Sequence, residues 1–348
     1  MTHLSAILPE AATGIMPVLD EGLTRVVERM DRQMGSTMRP VHELVEHVEG
    51  YRGKMLRPSL VLLTGLACSG DAVSIGAGPT MSVTDADSAH VTIGAVVEMI
   101  HVATLVHDDV LDEAEVRRGS QTINALRGNE AAVILGDYLI SKAFHLCSTL
   151  DSQRTALRIG EVTSIVCEGE MLQLLQRGDL ALDERSYFEI IERKTASLIA
   201  VACELGALHA GASAEVVRAM HAFGLKLGVA FQIQDDLLDL VGDESVVGKS
   251  LGKDLEKEKL TLPLIHHLAC LSGSARMDTE RLIHRNSFHN GLRMGVRPRL
   301  EATSSIAYAK GVAGRLVLEA RGLLDVLQPS PARTCLAAMA DAVIARAM

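Results

Sequence analysis

Apolar and small residues recur at intervals of three and four along most of the chain, as in Val97, Ile100, Thr104, Val106 and Leu111, or Val217, Met220, Gly224, Leu227, Phe231 and Leu238. That period predicts helices with a buried face, and no segment alternates convincingly as a strand does. Irregular connections are expected at 69–89, 241–259 and 272–302, where Gly, Ser, Asp, Lys, Arg and His accumulate. Their spacing suits loops within one helical domain spanning 1–348, with further helices from about 302 interrupted near Pro329 and Pro331. The expected fold class is all-α, a helical bundle. Gly224 and Gly228, set inside a helical pattern at a propensity cost of about 1 kcal/mol each, imply that neighbouring backbones approach closely there.

Composition narrows the function. Of 348 residues, 48% are hydrophobic, enough for a large core, and only nine are aromatic (five Phe, four Tyr, no Trp), which argues against strands and against a base-stacking surface. Lys plus Arg number 34 against 44 Asp plus Glu, a formal charge of -10, so duplex nucleic acid is not an expected partner. A polyanionic ligand would need local basic clusters or metal ions. The six scattered cysteines, with no CxxC pair, read as buried, reduced thiols of a cytoplasmic protein. The first twenty residues lack Lys and Arg, which fits no targeting peptide, and no apolar run approaches the roughly 18 to 20 residues that span a bilayer. A soluble protein is expected.

The chemistry lies in an internal echo. Asp108, Asp109 and Asp112 form Asp-Asp-x-x-Asp, and Asp235, Asp236 and Asp239 repeat it. On a helix, residues four apart share a face, so each motif gathers carboxylates that repel one another by a few tenths of a kcal/mol per pair. A solvated acidic face is the ordinary explanation for one such motif; two, each ending a long apolar segment and each followed by basic residues, point to cations. Oxygen donors without His or Cys suit a hard ion, Mg²⁺, shared with substrate phosphates. The basic residues form three groups: Arg117 and Arg118; Lys54 and Arg57, just before Pro58 in the first turn of an apolar helix; and a glycine-lysine loop with Lys249 and Lys253, then Lys257 and Lys259. Together they describe a site for more than one phosphorylated ligand.

These motifs, from about Arg52 to Pro263, resemble those of the trans-isoprenyl diphosphate synthases, the polyprenyl synthetase family, and most closely the hexa- to decaprenyl type. The resemblance implies an isoprenoid-synthase-type helical bundle around a central cavity, its aspartate-rich helices facing each other, and a homodimer. It further implies an Mg²⁺-dependent prenyltransferase that condenses an allylic diphosphate with successive isopentenyl diphosphate units into a long all-trans polyprenyl diphosphate, destined for a quinone side chain. Asp108 and Asp112, assisted by Asp109, and Asp235 and Asp239, assisted by Asp236, would hold three Mg²⁺ ions. Arg117 would bind the allylic diphosphate; Arg118, Lys54, Arg57 and His101 would bind isopentenyl diphosphate. Lys194, Thr195, Gln232, Lys249 and Lys259 match the remaining allylic positions, with Lys194, Thr195 and Gln232 placed to stabilise a carbocation through oxygen dipoles. Ordinary helix-helix hydrogen bonding is the alternative for Thr195 and Gln232, and a core histidine satisfied by a carbonyl is the alternative for His101. The chain departs from the family at Arg52-Gly53-Lys54-Met55, where Gly-Gly-Lys-Arg is usual, and at Glu258, where Gly is usual.

Helix geometry bears on product length. A hydrocarbon tail leaving a diphosphate at Asp108 and Asp112 should run back past Thr104, Ala103 and Ile100, where small side chains would leave a tunnel open, floored by Phe144 or Ile140 on the next helix. A shorter farnesyl or geranylgeranyl product is the alternative, as is a non-catalytic partner subunit of a heteromeric synthase. A terpene cyclase fits poorly, because its second metal site normally uses Asn, Ser or Thr with Glu.

Overall fold

The computed structural model describes residues 14–69, 82–242, 252–285 and 291–345. They fold as helices joined by short connections, in two compact units that alternate along the chain.

The first unit takes the described parts of Met1–Thr163, Leu198–His221 and Leu324–Met339. It holds α1 (Met16–Met34), α2 (Arg39–Glu49), α3 (Leu56–Cys68), α4 (Ala89–Leu111), α5 (Ile123–Arg127), α6 (Asn129–Ser148), the start of α7 (Gln153–Leu175), most of α9 (Ser197–His209), the start of α10 (Ala214–Val241) and most of α16 (Pro331–Ile344). α4 is the axis. The side chain of Ser88 caps it by accepting the Val91 N–H, and it packs against α1, α3, α5 and α6. Because neighbours surround it, it is apolar nearly all round, as a core helix must be. α3 is buried in the same way and meets α9 at Gly206, where a Cβ would stand 2.0 Å from Thr64 Oγ1.

The second unit takes Ser164–Ser197, Ala222–Leu323 and the described part of Ala340–Met348. It holds α8 (Glu184–Ile191), a π-helical turn (Glu192–Ala196), the rest of α10, α11 (Lys253–Glu256), α12 (Leu262–Cys270), α13 (Gly273–Arg285), α14 (Gly291–Ala302) and α15 (Ser305–Leu323). Its core gathers Tyr187, Ile233, Leu237, Leu262, Ile265 and Ala313. Gly228 lies against Ala196, where a Cβ would stand 2.6 Å from the Ala196 Cα, the close approach expected from the sequence.

Four expectations are corrected. The described part of the stretch 272–302 is not irregular but forms α13 and α14. Its polar composition hides an amphipathic pattern in which Ile283, Val296 and Leu300 are buried and Arg276–Glu280 and Arg297–Glu301 pair four apart on the outer face. A strand pair exists after all, Val116–Arg117 (β1) with Ser120–Gln121 (β2), too short for a period of two to register. Cys147, Cys203 and Cys335 are buried as expected, but Cys167 and Cys270 are exposed. Finally, α4 and α10 are long and apolar enough to cross a membrane by length and composition, a test the sequence was expected to fail. Their few charges interrupt the apolar runs without lowering the average. In α4, 78% of the apolar window is buried against protein.

Candidate active site

In the first unit the carboxylates sit at the end of α4. Asp108 and Asp109 lie in its last turn, and Asp112 follows as the C-cap residue. This end of a helix carries the negative pole of the macrodipole, and α4 has no basic residue in its last turn. Three acids are thus placed where the helix dipole disfavours them, at a pole whose charge a cation would offset.

Asp109 is 1% exposed and occupied: Arg117 donates from Nε to Oδ1 at 2.9 Å and to Oδ2 at 3.1 Å, and its Nη2 stands 2.8 Å from Oδ1. The guanidinium also lies over the Tyr51 ring, 5.8 Å from its centroid. Tyr51 is buried and its hydroxyl accepts the Ile123 N–H; burial and then Asp109 push that hydroxyl up. Arg117 is aimed by its strand. Between β1 and β2, Arg118 (φ 51°) and Gly119 (φ 82°) both adopt the left-handed conformation that a two-residue hairpin turn of right-handed twist requires. From there Arg118 Nη1 donates to the Tyr51 carbonyl, and its fork lies so close to Gly53 that a Cβ there would stand 2.5 Å from Nη2.

Around this fork lie Arg57, half-buried, with Nε shut from solvent and lacking an acceptor, and His101, half-buried. Burial first, then Arg57, Arg118 and Arg117, hold the His101 imidazole well below its usual range, so it is neutral near pH 7. Lys54 is exposed. Below Asp108, Ala103 and Ile100 are completely buried, while His101, Thr104 and Leu105 are half-buried. Of the three positions expected along the tail, Thr104 is the accessible one, its hydroxyl turned back to the His101 carbonyl at 2.7 Å, while Ala103 and Ile100 are closed to solvent. Phe144 and Ile140 are half-buried on α6.

In the second unit, Asp235, Asp236 and Asp239 occupy the last two turns of α10, again with no basic residue in the last turn. Asp236 is buried and fully engaged: Tyr187 Oη donates to Oδ2 and Gln232 Nε2 to Oδ1, both at 2.7 Å. Burial and then Asp254 push its carboxyl well above the usual carboxylate range, against the pull of those two donors. Thr195 Oγ1 donates to Gln232 Oε1 at 3.0 Å, so the Gln232 oxygen expected to face a cation is instead bonded across helices. Asp239 has another task, accepting the Asp254 N–H at 3.0 Å and the Lys253 N–H at 3.4 Å, which caps α11. Lys194 pairs with Glu170 and lies in the π-turn, an irregularity frequent at functional sites. Gly169 makes room for it, since a Cβ there would stand 2.5 Å from the Lys194 nitrogen. Lys259 is half-buried and follows Glu258, whose φ of 54° is one that Gly adopts without steric cost. Lys249 lies outside the described residues.

Among the described residues, no three His, Cys, Asp or Glu side chains converge as a ready metal cage. The donors fit a hard cation whose other ligands are phosphate and water. Sequence reasoning missed Glu98, Tyr187 and Glu170. Only Glu98 left a signal, as the single Asp, Glu, Lys or Arg between Ala89 and His107.

Comparison with known proteins agrees with this chemistry. The sequence matches the Polyprenyl synthetase family over residues 38–291. It is 33% identical over 317 residues to the octaprenyl diphosphate synthase of Escherichia coli K12, covering 90% of this chain and 92% of that one. Its fold superposes with a TM-score of 0.86 on a decaprenyl diphosphate synthase from Rhodobacter capsulatus, 32% identical, covering 97% and 99% of the two chains. It superposes at 0.85 on a polyprenyl synthase from Caulobacter crescentus CB15 complexed with calcium and isoprenyl diphosphate, 30% identical, covering 97% and 98%. The chain therefore belongs to the polyprenyl synthetase family and is a prenyltransferase.

Proposed function

We propose that the chain elongates an allylic diphosphate with successive isopentenyl diphosphate units, dependent on Mg²⁺, to an all-trans polyprenyl diphosphate of the hexa- to decaprenyl range that supplies a quinone side chain. The observation that carries the metal dependence is the placement of both acidic motifs at helix C-termini. Mg²⁺ on Asp108, Asp112 and Asp235, with three ions expected in all, would neutralise the charge that develops on the leaving diphosphate.

The protein groups do the rest. Arg117, held rigid by Asp109, presents its remaining donors to the allylic diphosphate. Arg118, Arg57 and Lys54 bind isopentenyl diphosphate, with His101 a neutral hydrogen-bonding partner beside them. Lys194 and Lys259 add positive charge, and Thr195 retains lone pairs that face an allylic cation. No nucleophilic side chain is needed, because the double bond attacks and the released diphosphate accepts the proton. A long product is favoured by the octaprenyl and decaprenyl synthases among the relatives and by the small, accessible Thr104. A cytoplasmic homodimer is the proposed working form.

The test is incubation of the purified chain with Mg²⁺, farnesyl diphosphate and isopentenyl diphosphate, followed by assay of diphosphate and chromatography of the hydrolysed products. Diphosphate release abolished by chelator, with products of 30 carbons or more by the chemistry of adding five-carbon units to farnesyl, is the expected result. No release by this chain alone would overturn the catalytic reading, and products ending at about 20 or 25 carbons would overturn the long-chain reading.

A further inference from the structure

Glu98 is 3% exposed, deep in the apolar length of α4, and its Oε2 has no hydrogen-bond partner. It is not isolated electrically. Burial pushes its carboxyl above the usual carboxylate range, and Arg57, Arg118 and Arg52 pull against that push. Those guanidiniums are themselves incompletely satisfied: the Nε atoms of Arg57 and Arg52 are buried without acceptors. Arg52 is otherwise held on Asp31 and Glu49, and Arg118 on the Tyr51 carbonyl. One buried carboxylate thus faces the charge of three guanidiniums, two of which, Arg57 and Arg52, keep an unmet donor. Eleven residues separate Glu98 from Asp109, which places it on the same face of α4, about 16 Å down the helix.

Chain elongation sets a problem for such a cluster. The diphosphate of each new product came from isopentenyl diphosphate, so it must leave the basic residues before it can serve as the next allylic group. A cluster that held it with full strength would stop after one addition. We propose that Glu98 is a positioning residue that acts as a stand-in anion: it holds Arg57 and Arg118 in place when no diphosphate is bound, and its charge limits how tightly they retain one. This rests on the elongation reading given above.

Glu98→Gln keeps the shape and removes the charge. Three readouts follow. The variant free of ligand should melt lower than the wild type, and inorganic pyrophosphate without Mg²⁺ should raise its melting temperature more than it raises the wild type's. KM for isopentenyl diphosphate should fall by about tenfold, the scale of removing one nearby like-signed charge from an anion at partly screened distance. Multiple-turnover elongation should slow more than a single addition to farnesyl diphosphate does, and products should shorten. A merely structural role predicts lowered stability with the pyrophosphate shift and KM unchanged or KM raised, and that result would overturn the proposal. Should Glu98→Gln fail to fold, Glu98→Asp decides: withdrawing the carboxylate by one methylene should move KM and product length in the same direction, and wild-type values there would sink the idea. If the wild type forms no prenyl product but pyrophosphate still stabilises Glu98→Gln more strongly, the elongation reading fails and the stand-in anion survives.

Discussion

The Asp109–Arg117 pair allows the role of an aspartate to be separated from its motif. Asp109 is 1% exposed and Arg117 25%, so the two ends of the same pair do not cost the same to orphan. Asp109→Asn leaves a guanidinium that rehydrates partly and keeps the Tyr51 ring beneath it, so the loss is that of a charged hydrogen bond, about 2 kcal/mol. Arg117→Gln leaves a buried carboxylate with no countercharge, at about 3 to 5 kcal/mol. For 348 residues, an unfolding entropy of about 2.1 cal/mol/K per residue gives about 0.7 kcal/mol/K. The melting temperature should therefore fall by about 3 °C for Asp109→Asn and about 4 to 7 °C for Arg117→Gln, read by calorimetry in chelator. In steady-state assays both should raise KM for the allylic diphosphate by about tenfold or more, and Asp109→Asn should leave half-saturation by Mg²⁺ within about twofold. The reasoning fails if Asp109→Asn is the more destabilising change, or if it moves the Mg²⁺ requirement while Arg117→Gln does not, since Asp109 would then be a ligand first.

Three further outcomes are expected. His90 is buried, its Nε2 donates to the Gly206 carbonyl at 3.0 Å, and burial, aided by His209, lowers its pKa to about 4. The fold prefers the neutral ring, so this stability is complete above pH 6.5 and is lost as pH falls toward 4, at most about 3 kcal/mol; urea melts should show His90→Gln flattening that slope. Thr104→Tyr should shorten the product to the farnesyl or geranylgeranyl range by chromatography, whereas Ala103→Tyr, at a completely buried position, should cost stability by overpacking, about 1 to 3 kcal/mol. Glu258→Gly should remove a left-handed strain of about 1 to 2 kcal/mol, partly cancelled by chain entropy of about 0.5 to 1 kcal/mol. It also removes a carboxylate next to Lys259, so allylic KM should fall with no loss of melting temperature.

How far the site was legible depended on whether its residues announced themselves locally. Asp108, Asp109 and Asp112 and their echo on α10 could be read because a four-residue spacing is a statement about one helix face. What the spacing could not distribute was the work. Asp109 answers to Arg117 through the short β1–β2 hairpin, Asp239 answers to the backbone of α11, and Asp236 answers to Tyr187, 49 positions away. Each partnership is tertiary, and none leaves a periodic trace. Likewise α13 and α14 escaped notice because their apolar residues, few and spaced among Arg and Ser, pack as a stripe that composition averages away. Glu98 was legible in principle as a lone charge in an apolar helix, a signal weaker than a motif but pointing the same way.

The backbone supplies one constraint that side-chain patterns do not. Six non-glycine residues among those described adopt positive φ, and four of them adjoin site residues: Met55 follows Lys54, Glu113 follows Asp112, Arg118 follows Arg117, and Glu258 precedes Lys259. Such conformations cost about 1 kcal/mol or more each and persist only where surrounding contacts fix them. Those contacts are visible here. Arg118 is fixed by the β1–β2 pairing and the Tyr51 carbonyl, and Glu258 by the Gly178 N–H on its carbonyl, 3.0 Å away. A left-handed residue turns the chain sharply, so the side chains on either side of it diverge as those of neighbours in a regular helix or strand do not. The basic residues are thus aimed by turns whose cost is met by the helices on either side, which is why the carboxylates could be found from helix periodicity and the cations only from their loops.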